Sequence, residues 1–340
     1  MIVNKTTIYG DFLSSYLYDD MLLLQVADNR LYSINTKGID SGSTVNFDEY
    51  IEKHQPKHMV LDQFITDFDV YYNGLFYCNS SGLFNVKISD MNTGDNVHPD
   101  KIWDAPVQCV RVGNNGRVAL SLAGEGLYEY DSMGINLYIS DKVEVDKRIQ
   151  QISKLHSTSC RWSNGNWWNY SSLSESSLIT FIQQGKHSFA FLEEFKREEL
   201  FDDIDGNSFV YLSENKKQVN RLLNQSIETL IFSQSNKNGM KRRNKVLKLD
   251  NPIDVNNIQE VFEISINENQ ETLIAYETSN GITVMNFKGE IIHQIKDDSI
   301  VSWRVFPKSK KHRNEMHVVF DDRLEIIKFY ASAGPDSNSN

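Results

Sequence analysis

The stretch LLLQVADNRLYSIN, residues 22–35, reads as two short alternating apolar runs hinged on Ala27, Asp28 and Asn29. A period of two turns one side of each run to a core and the other to solvent. Asp and Asn at the hinge take up turn conformations that bulky side chains resist. The stretch therefore predicts a β-hairpin.

Working outward, the same phrase returns. It reads GLFYCN-SSG-LFNVKI at 74–88, RVALSL-AGE-GLYEYD at 117–131, TLIAYE-TSN-GITVMNF at 272–287 and HVVF-DD-RLEIIKF at 317–329. LITFIQ-QGK-HSFAFL at 178–192 is a further hairpin of this kind. The residues opening each second strand, Leu31, Leu83, Leu127, Ile282 and Leu324, act as a ruler. Its shorter intervals are roughly 40–50 residues, the range of propeller blades. The interval from Leu127 to Ile282 has room for further units. Within it, SFVYLS-ENKK-QVNRLL and TLIFSQ followed by KVLKL compete for the next one, and 193–255 has no clear phase. Length gives seven units; clear hairpins give at least six.

The pattern resembles the β-propeller superfold over roughly residues 2–330. The resemblance implies an all-β chain of four-stranded antiparallel blades, seven with six as the alternative. It carries no family motif. Trp103-Asp104 occurs beside Pro106 and out of phase with the repeat, and the double glycine of kelch repeats is missing, so no functional residue is transferred. The last phrase supplies three strands, at 300–305, 315–320 and 324–330. IVNKTTIY at 2–9 is strand-like and is expected to add the outer strand of that last blade, closing the ring and pinning the two ends together. Residues 331–340, ASAGPDSNSN, read as a disordered tail. Helix-period stretches are few, the best at 143–155, 193–204 and 214–223. The segments 40–50 and 90–100 read as loops.

Composition bounds the function. An apolar content of 40% is enough for a real core, and no low-complexity linker divides the chain, so one domain over 1–330 is expected. The net charge of −11 argues against nucleic-acid binding, which needs clustered positive charge. Two basic runs oppose the average: Lys237, Lys241, Arg242, Arg243 and Lys245, then Lys308, Lys310, Lys311, His312 and Arg313. Both read as solvated turns. No apolar run is long enough to span a bilayer and no secretory signal is present, which points to the cytoplasm and against membrane insertion. The three cysteines, Cys78, Cys109 and Cys160, are widely spaced and read as buried thiols.

No motif for catalysis, metal or cofactor is found. The glycines of Ala123-Gly124-Glu125-Gly126 serve a hairpin turn. His54 and His58 are four apart, but Pro56 disfavours the helix that would align their rings on zinc. Two segments stand out. CRWSNGNWWNYSSLSE at 160–175 holds three of the five tryptophans. It reads as a turn-rich insert presenting Arg161, Trp162, Trp167, Trp168 and Tyr170 as binding residues, with Arg161 able to stack on a ring. Packing filler is the competing reading. EEFKREELFDDID at 193–205 has seven acidic and two basic residues and reads as an amphipathic helix. Together these features predict a non-catalytic intracellular interaction module or scaffold showing an aromatic loop to a protein partner. A propeller hydrolase or lyase, and stacking of a sugar or nucleobase on the tryptophans, are the alternatives.

Overall fold

Seven sheets carry the strands. The computed structural model describes residues 1–93, 97–133, 148–163, 165–172, 175–184, 188–196, 209–215, 218–233, 241–266, 272–307 and 309–331. The chain begins with β1 (Ile2–Tyr9), β2 (Phe12–Tyr18), β3 (Met21–Val26), β4 (Arg30–Asn35), β5 (Thr44–Asn46), α1 (Phe47–His54) and β6 (Lys57–Val60). It continues with β7 (Asp67–Tyr71), β8 (Gly74–Asn79), β9 (Gly82–Lys87), α2 (Ile88–Thr93) and β10 (Asp100–Trp103). Next come β11 (Cys109–Val112), β12 (Arg117–Ser121), β13 (Leu127–Asp131) and β14 (Ile149–Ser153), then β15 (Ser159–Ser163), β16 (Asn166–Tyr170), β17 (Ser176–Gln184) and β18 (Ser188–Lys196). The remainder is β19 (Phe209–Asn215), β20 (Gln218–Leu223), β21 (Ser226–Ser233), β22 (Lys241–Lys248), β23 (Glu260–Ser265), β24 (Thr272–Thr278), β25 (Gly281–Asn286), β26 (Ile291–Ile295), β27 (Ile300–Val305), β28 (Glu315–Phe320) and β29 (Arg323–Tyr330).

The first sheet is β2-β3-β4-β6, and β7 to β26 form five more in groups of four. The seventh is β27-β28-β29-β1-β5. Its fourth strand is the N-terminal one: β1 pairs antiparallel with β29 from Ile2↔Tyr330 to Tyr9↔Arg323, as the sequence predicts. A fifth strand, β5, then pairs parallel to β1 through Thr7↔Thr44 and Tyr9↔Asn46. The four segments that compete for one unit in the sequence are β19 to β22 of a single sheet, which raises the count to seven.

The structure groups into two compact units. One comprises Met1–Leu61, Asn220–Thr229 and Asn244–Asn340; the other comprises Asp62–Val219 and Leu230–Arg243. In the second unit the first strands β7, β11, β15 and β19 lie side by side; in the first unit β23, β27 and β2 do. The cores lie between sheets. Leu83, Val110, Val118 and Leu120 fill one such gap in the second unit, and Leu22, Leu24, Phe47 and Leu324 fill one in the first.

The ruler positions have a steric cause. Gly82, Gly126 and Gly281 stand immediately before Leu83, Leu127 and Ile282, with φ of 148°, 90° and 103°. In each, a Cβ would collide with a carbonyl oxygen near the neighbouring fourth strand: Trp103, Ser153 and Ile295 respectively. Only glycine suits both demands. Those fourth strands are also irregular. β10, β14, β18 and β26 each carry a register break, a device that blunts a sheet edge against pairing with another chain.

Several local expectations are corrected. Within 143–155 the described part contains β14, and 134–147 lies outside the described residues. Residues 214–223 include β20 of a hairpin, not a helix. Glu193 to Lys196 end β18, while 197–208 lies outside the described residues. The helical look of this stretch comes from a bulge: Phe191 pairs with Phe181 and Glu193 with Thr180, so Leu192 is the extra residue that breaks the alternation. The expected loops at 40–50 and 90–100 contain β5, α1 and α2. Asn46 caps α1 by accepting from the Glu49 N–H at 3.2 Å, with Asp48 and Glu49 in the first turn. The proposed tail from residue 332 lies outside the described residues.

Candidate interaction surface

The tryptophan segment is not an insert. It is the hairpin β15–β16, paired from Ser159↔Tyr170 to Ser163↔Asn166 around Gly165 at φ 94°. Both sides of β16 are buried. Trp167, Trp168 and Tyr170 are 0%, 1% and 3% exposed and belong to the core, so their rings are not offered to a ligand. Trp162 and Arg161 are half-buried, and Arg161 lies over the Tyr170 ring at 5.5 Å.

Trp167 is held by a sealed ion pair. Arg117, at the start of β12, donates Nε to Glu129 Oε1 at 2.6 Å and Nη2 to Glu129 Oε2 at 2.8 Å. Both side chains have zero exposure. Trp167 Nε1 donates to the same carboxylate at 2.7 Å, and Arg117 Nη1 donates to the Gly165 carbonyl at 2.9 Å. The guanidinium lies between the rings of Trp162 at 4.9 Å and Phe181 at 4.1 Å. Each carboxylate oxygen and each bonded nitrogen thus recovers what water would give it, the condition for burying charge. The effect is to fix the third sheet to the turn of the fourth.

Beneath this pin the first strands are tied by carboxylates. A first strand has one unpaired edge, whose N–H groups need acceptors. The sequence Asp67-Phe68-Asp69 puts two carboxylates on one side of β7. Asp67 accepts from the Val110 N–H at 3.1 Å, and Asp69 from the Val112 N–H at 2.8 Å. Arg111 also pairs with Asp67. Burial opposes the charge on Arg111, but Asp67, Cys109 and Asp69 outweigh it and hold its pKa well above the ordinary value.

The framework presents a row of turns. Tyr72, between β7 and β8, is 73% exposed at φ 49°, and its ring meets that of Tyr71 at 4.6 Å. Burial, then Tyr72, pushes the Tyr71 hydroxyl pKa up, while a hydrogen bond with the Gly116 backbone opposes them. Met133, 55% exposed, lies against Gly116, where a Cβ would strike its side chain. In the same β11–β12 connection, Gly113 underlies Trp162: a Cβ there would sit 2.5 Å from Cε3. Tyr72, Tyr71, Met133 and Trp162 therefore follow one another across the turns of three neighbouring sheets. The sequence reading found only Trp162 of these four. Gly113→Ala is expected to cost about 1–3 kcal/mol by overpacking and to shift Trp162 fluorescence; a urea midpoint within error of the parent would contradict the contact.

The other sequence candidates have structural partners. The His54 ring lies tilted against Tyr50 at 4.4 Å and the His58 ring against Tyr32 at 5.0 Å. Among the described residues, no cluster of three or more His, Cys, Asp or Glu side chains could hold a metal, and no helix is long and apolar enough to cross a membrane. Lys311 of the second basic run binds Asp19 at 2.5 Å and Asp20 at 3.0 Å. Its neighbour His312 contacts Glu315 at 2.8 Å and the Asp19 carbonyl at 2.5 Å, so this run fastens the β27–β28 connection to the β2–β3 turn. Lys241, Arg242 and Arg243 of the first run lie in β22, while Lys237 and Lys308 are outside the described residues.

Seven sheets of this order and connection define a seven-bladed β-propeller. The chain is similar to the β-propeller domain of Myceliophteria thermophila Cps50 (Swd1), at 11% identity and a TM-score of 0.54, over 94% of this chain and 98% of that one. It is also similar to the computationally designed Ika8 protein, at 10% identity and a TM-score of 0.51 over 95% and 99% of the two chains. BBS1N, solved in complex with ARL6DN, aligns at 9% identity and a TM-score of 0.52 over 96% and 94%. At these identities the likeness is one of fold. No protein-family model matches the sequence, and no curated protein matches it.

Proposed function

We propose that this chain is a non-catalytic module that binds a protein partner through the row Tyr72, Tyr71, Met133 and Trp162. The observation that carries the reading is the exposure of Tyr72 and Met133, at 73% and 55%, beside half-buried aromatic neighbours on a stiff framework. Aromatic residues and methionine are enriched at interface cores, and loops on a rigid scaffold are where binding concentrates. BBS1N, a chain of similar fold solved in complex with ARL6DN, supports the class of role. Arg161 faces the other side of β15 from Trp162, over the Tyr170 ring, and is not part of the row, whereas Trp167, Trp168 and Tyr170 are core residues.

The catalytic alternative gains nothing comparable. The Ser15 hydroxyl and His317 Nδ1 are 3.0 Å apart, but their residues are 4% and 0% exposed, so this pair offers no nucleophile to a substrate. Sugar or nucleobase stacking loses its platform with the burial of Trp167 and Trp168. We place the module in the cytoplasm, where its three free cysteines suit a reducing environment.

The test is affinity capture with the wild-type chain, Tyr72→Ala/Met133→Ala, and an exposed control outside the row, Val301→Ala. The exposed double variant should keep its stability within about 0.5 kcal/mol. A partner held by wild type and control should be retained about tenfold less by the double variant, as expected when interface anchors are truncated. Equal retention by all three removes the proposed surface.

A further inference from the structure

The three cysteines, distant in sequence, converge in the second unit. Cys78 is on β8, Cys109 on β11 and Cys160 on β15, and all three are free and buried. Cys78 is already engaged, its thiol donating to the Asp67 carbonyl at 3.4 Å. The other two face each other. β11 and β15 are neighbouring first strands, Cys109 and Cys160 pack in one core cluster, and their thiols share a hydrogen bond. A disulfide closes such a pair to an S–S bond of about 2.05 Å.

We propose that Cys109 and Cys160 form a reversible disulfide that staples β11 to β15 when the chain meets a small-molecule disulfide oxidant such as oxidised glutathione. Cys109, as thiolate, attacks one oxidant sulfur; a mixed disulfide forms and one glutathione thiolate leaves. Cys160, as thiolate, then attacks the Cys109 sulfur; the protein S–S bond forms and the second glutathione thiolate leaves. The two protons shed by the cysteines go to the two departing thiolates, so two protein thiols are oxidised and one glutathione disulfide is reduced. The surroundings set the rate. The hydrogen bond to Cys160 and burial push the Cys109 pKa well up, so the resting Cys109 thiol is protonated and slow to react, while the guanidinium of Arg111 favours its thiolate. Exchange therefore awaits brief opening of the β11–β15 contact, and speeds up with pH. Trp162 lies two residues beyond Cys160 on the same strand, so the staple would fix the strand that carries one end of the proposed surface.

The experiment oxidises the native chain with glutathione disulfide at pH 8, in buffer and in urea below the unfolding transition. Thiols are then blocked and the tryptic peptides read by mass spectrometry. The expected product is a cross-link between peptides 102–111 and 155–161, a mass loss of about 2 Da, Cys78 still free, and a rise in Tm reversed by dithiothreitol. Cys78→Ser should give the same cross-link. Cross-links through Cys78, glutathione retained on Cys109 and Cys160 together, or no loss of thiols in sub-denaturing urea would each overturn the proposal. Because the readout is a covalent bond, it stands or falls separately from partner capture.

Discussion

Glu129→Ala is expected to destabilise the chain by about 3–5 kcal/mol, read as a lower urea midpoint at constant slope. The substitution leaves the Arg117 guanidinium at zero exposure with its carboxylate partner gone. It also strips the acceptor from Trp167 Nε1, whose ring is fully buried. What remains to Arg117 among its described contacts includes the Gly165 carbonyl and the faces of Trp162 and Phe181. A carbonyl and two rings answer a positive charge less well than a bidentate carboxylate. The loss would be a large part of a total stability of about 5–15 kcal/mol. Should Glu129→Ala not fold, two further variants keep the claim testable. Glu129→Gln retains an acceptor and should lose less than the alanine variant. Arg117→Met/Glu129→Leu removes both charges and should recover much of the stability, because burying the pair is itself expensive. A Glu129→Ala midpoint within about 1 kcal/mol of the parent would show that the pair is not the pin described.

Residue by residue, the fold was more legible than the site. The hairpins around Leu31, Leu83, Leu127, Ile282 and Leu324 show in the sequence because two short apolar runs meet at a polar turn, even though strands such as β3, β8 and β12 are buried on both sides. The N-terminal closing strand shows because the last phrase is one strand short. The reading blurred where that alternation failed for a local reason. Leu192 is a bulge residue, and its extra step imitates a helical stripe. In the tryptophan segment, Asn164-Gly165 is a good hairpin signal, but rich aromatic content on both sides suggested display where it meant packing. Whether a tryptophan is display or core depends on what the next sheet brings, and Glu129 lies 38 positions from Trp167. The same holds for the proposed surface. Tyr72 and Met133 are single apolar residues at turns, unremarked until the chain brings Met133 onto Gly116 and bonds Tyr71, the neighbour of Tyr72, to the backbone of that glycine. The pair Asp67 and Asp69 had a readable signal, two carboxylates on one strand side, though its purpose needed the open edge of β11 to be seen.

Acidification should weaken the chain through His317 well before its carboxylates are protonated. His317, on β28, has zero exposure, and burial drives its pKa down from 6.5 to about 3. Lys328, Arg304 and His312 push it in the same direction, and Glu315 opposes them without prevailing. Its Nδ1 bonds with Ser15, its Nε2 has no hydrogen-bond partner among the described residues, and Phe306 covers it edge-on at 4.7 Å. The folded chain thus keeps the ring neutral, while the unfolded chain takes up a proton below pH about 6.5. Between pH 6.5 and about 3 the unfolded state holds the extra proton, so stability falls as pH falls. At about 1.36 kcal/mol per unit, the loss reaches about 2 kcal/mol by pH 5. His312 works oppositely. Burial lowers its pKa, but Glu315 and the Asp19 carbonyl raise it further, to a net value above 6.5. Its contribution is complete below pH 6.5 and is lost as pH rises through the raised folded value, outside the His317 window. Glu315, held below 4.5 by His312 and Lys328 against burial, adds acid lability only under that pH. His58 and His293, both lowered by burial, share the His317 window, so the comparison must be with a variant. Urea unfolding of wild type and His317→Gln at pH 7, 6 and 5 provides it. Whatever His317→Gln costs at pH 7, the gap between the two should move by about 2 kcal/mol in the variant's favour by pH 5. Parallel lines across that range would mean that His317 takes up its proton in the folded state, and that the space around Nε2 is not sealed.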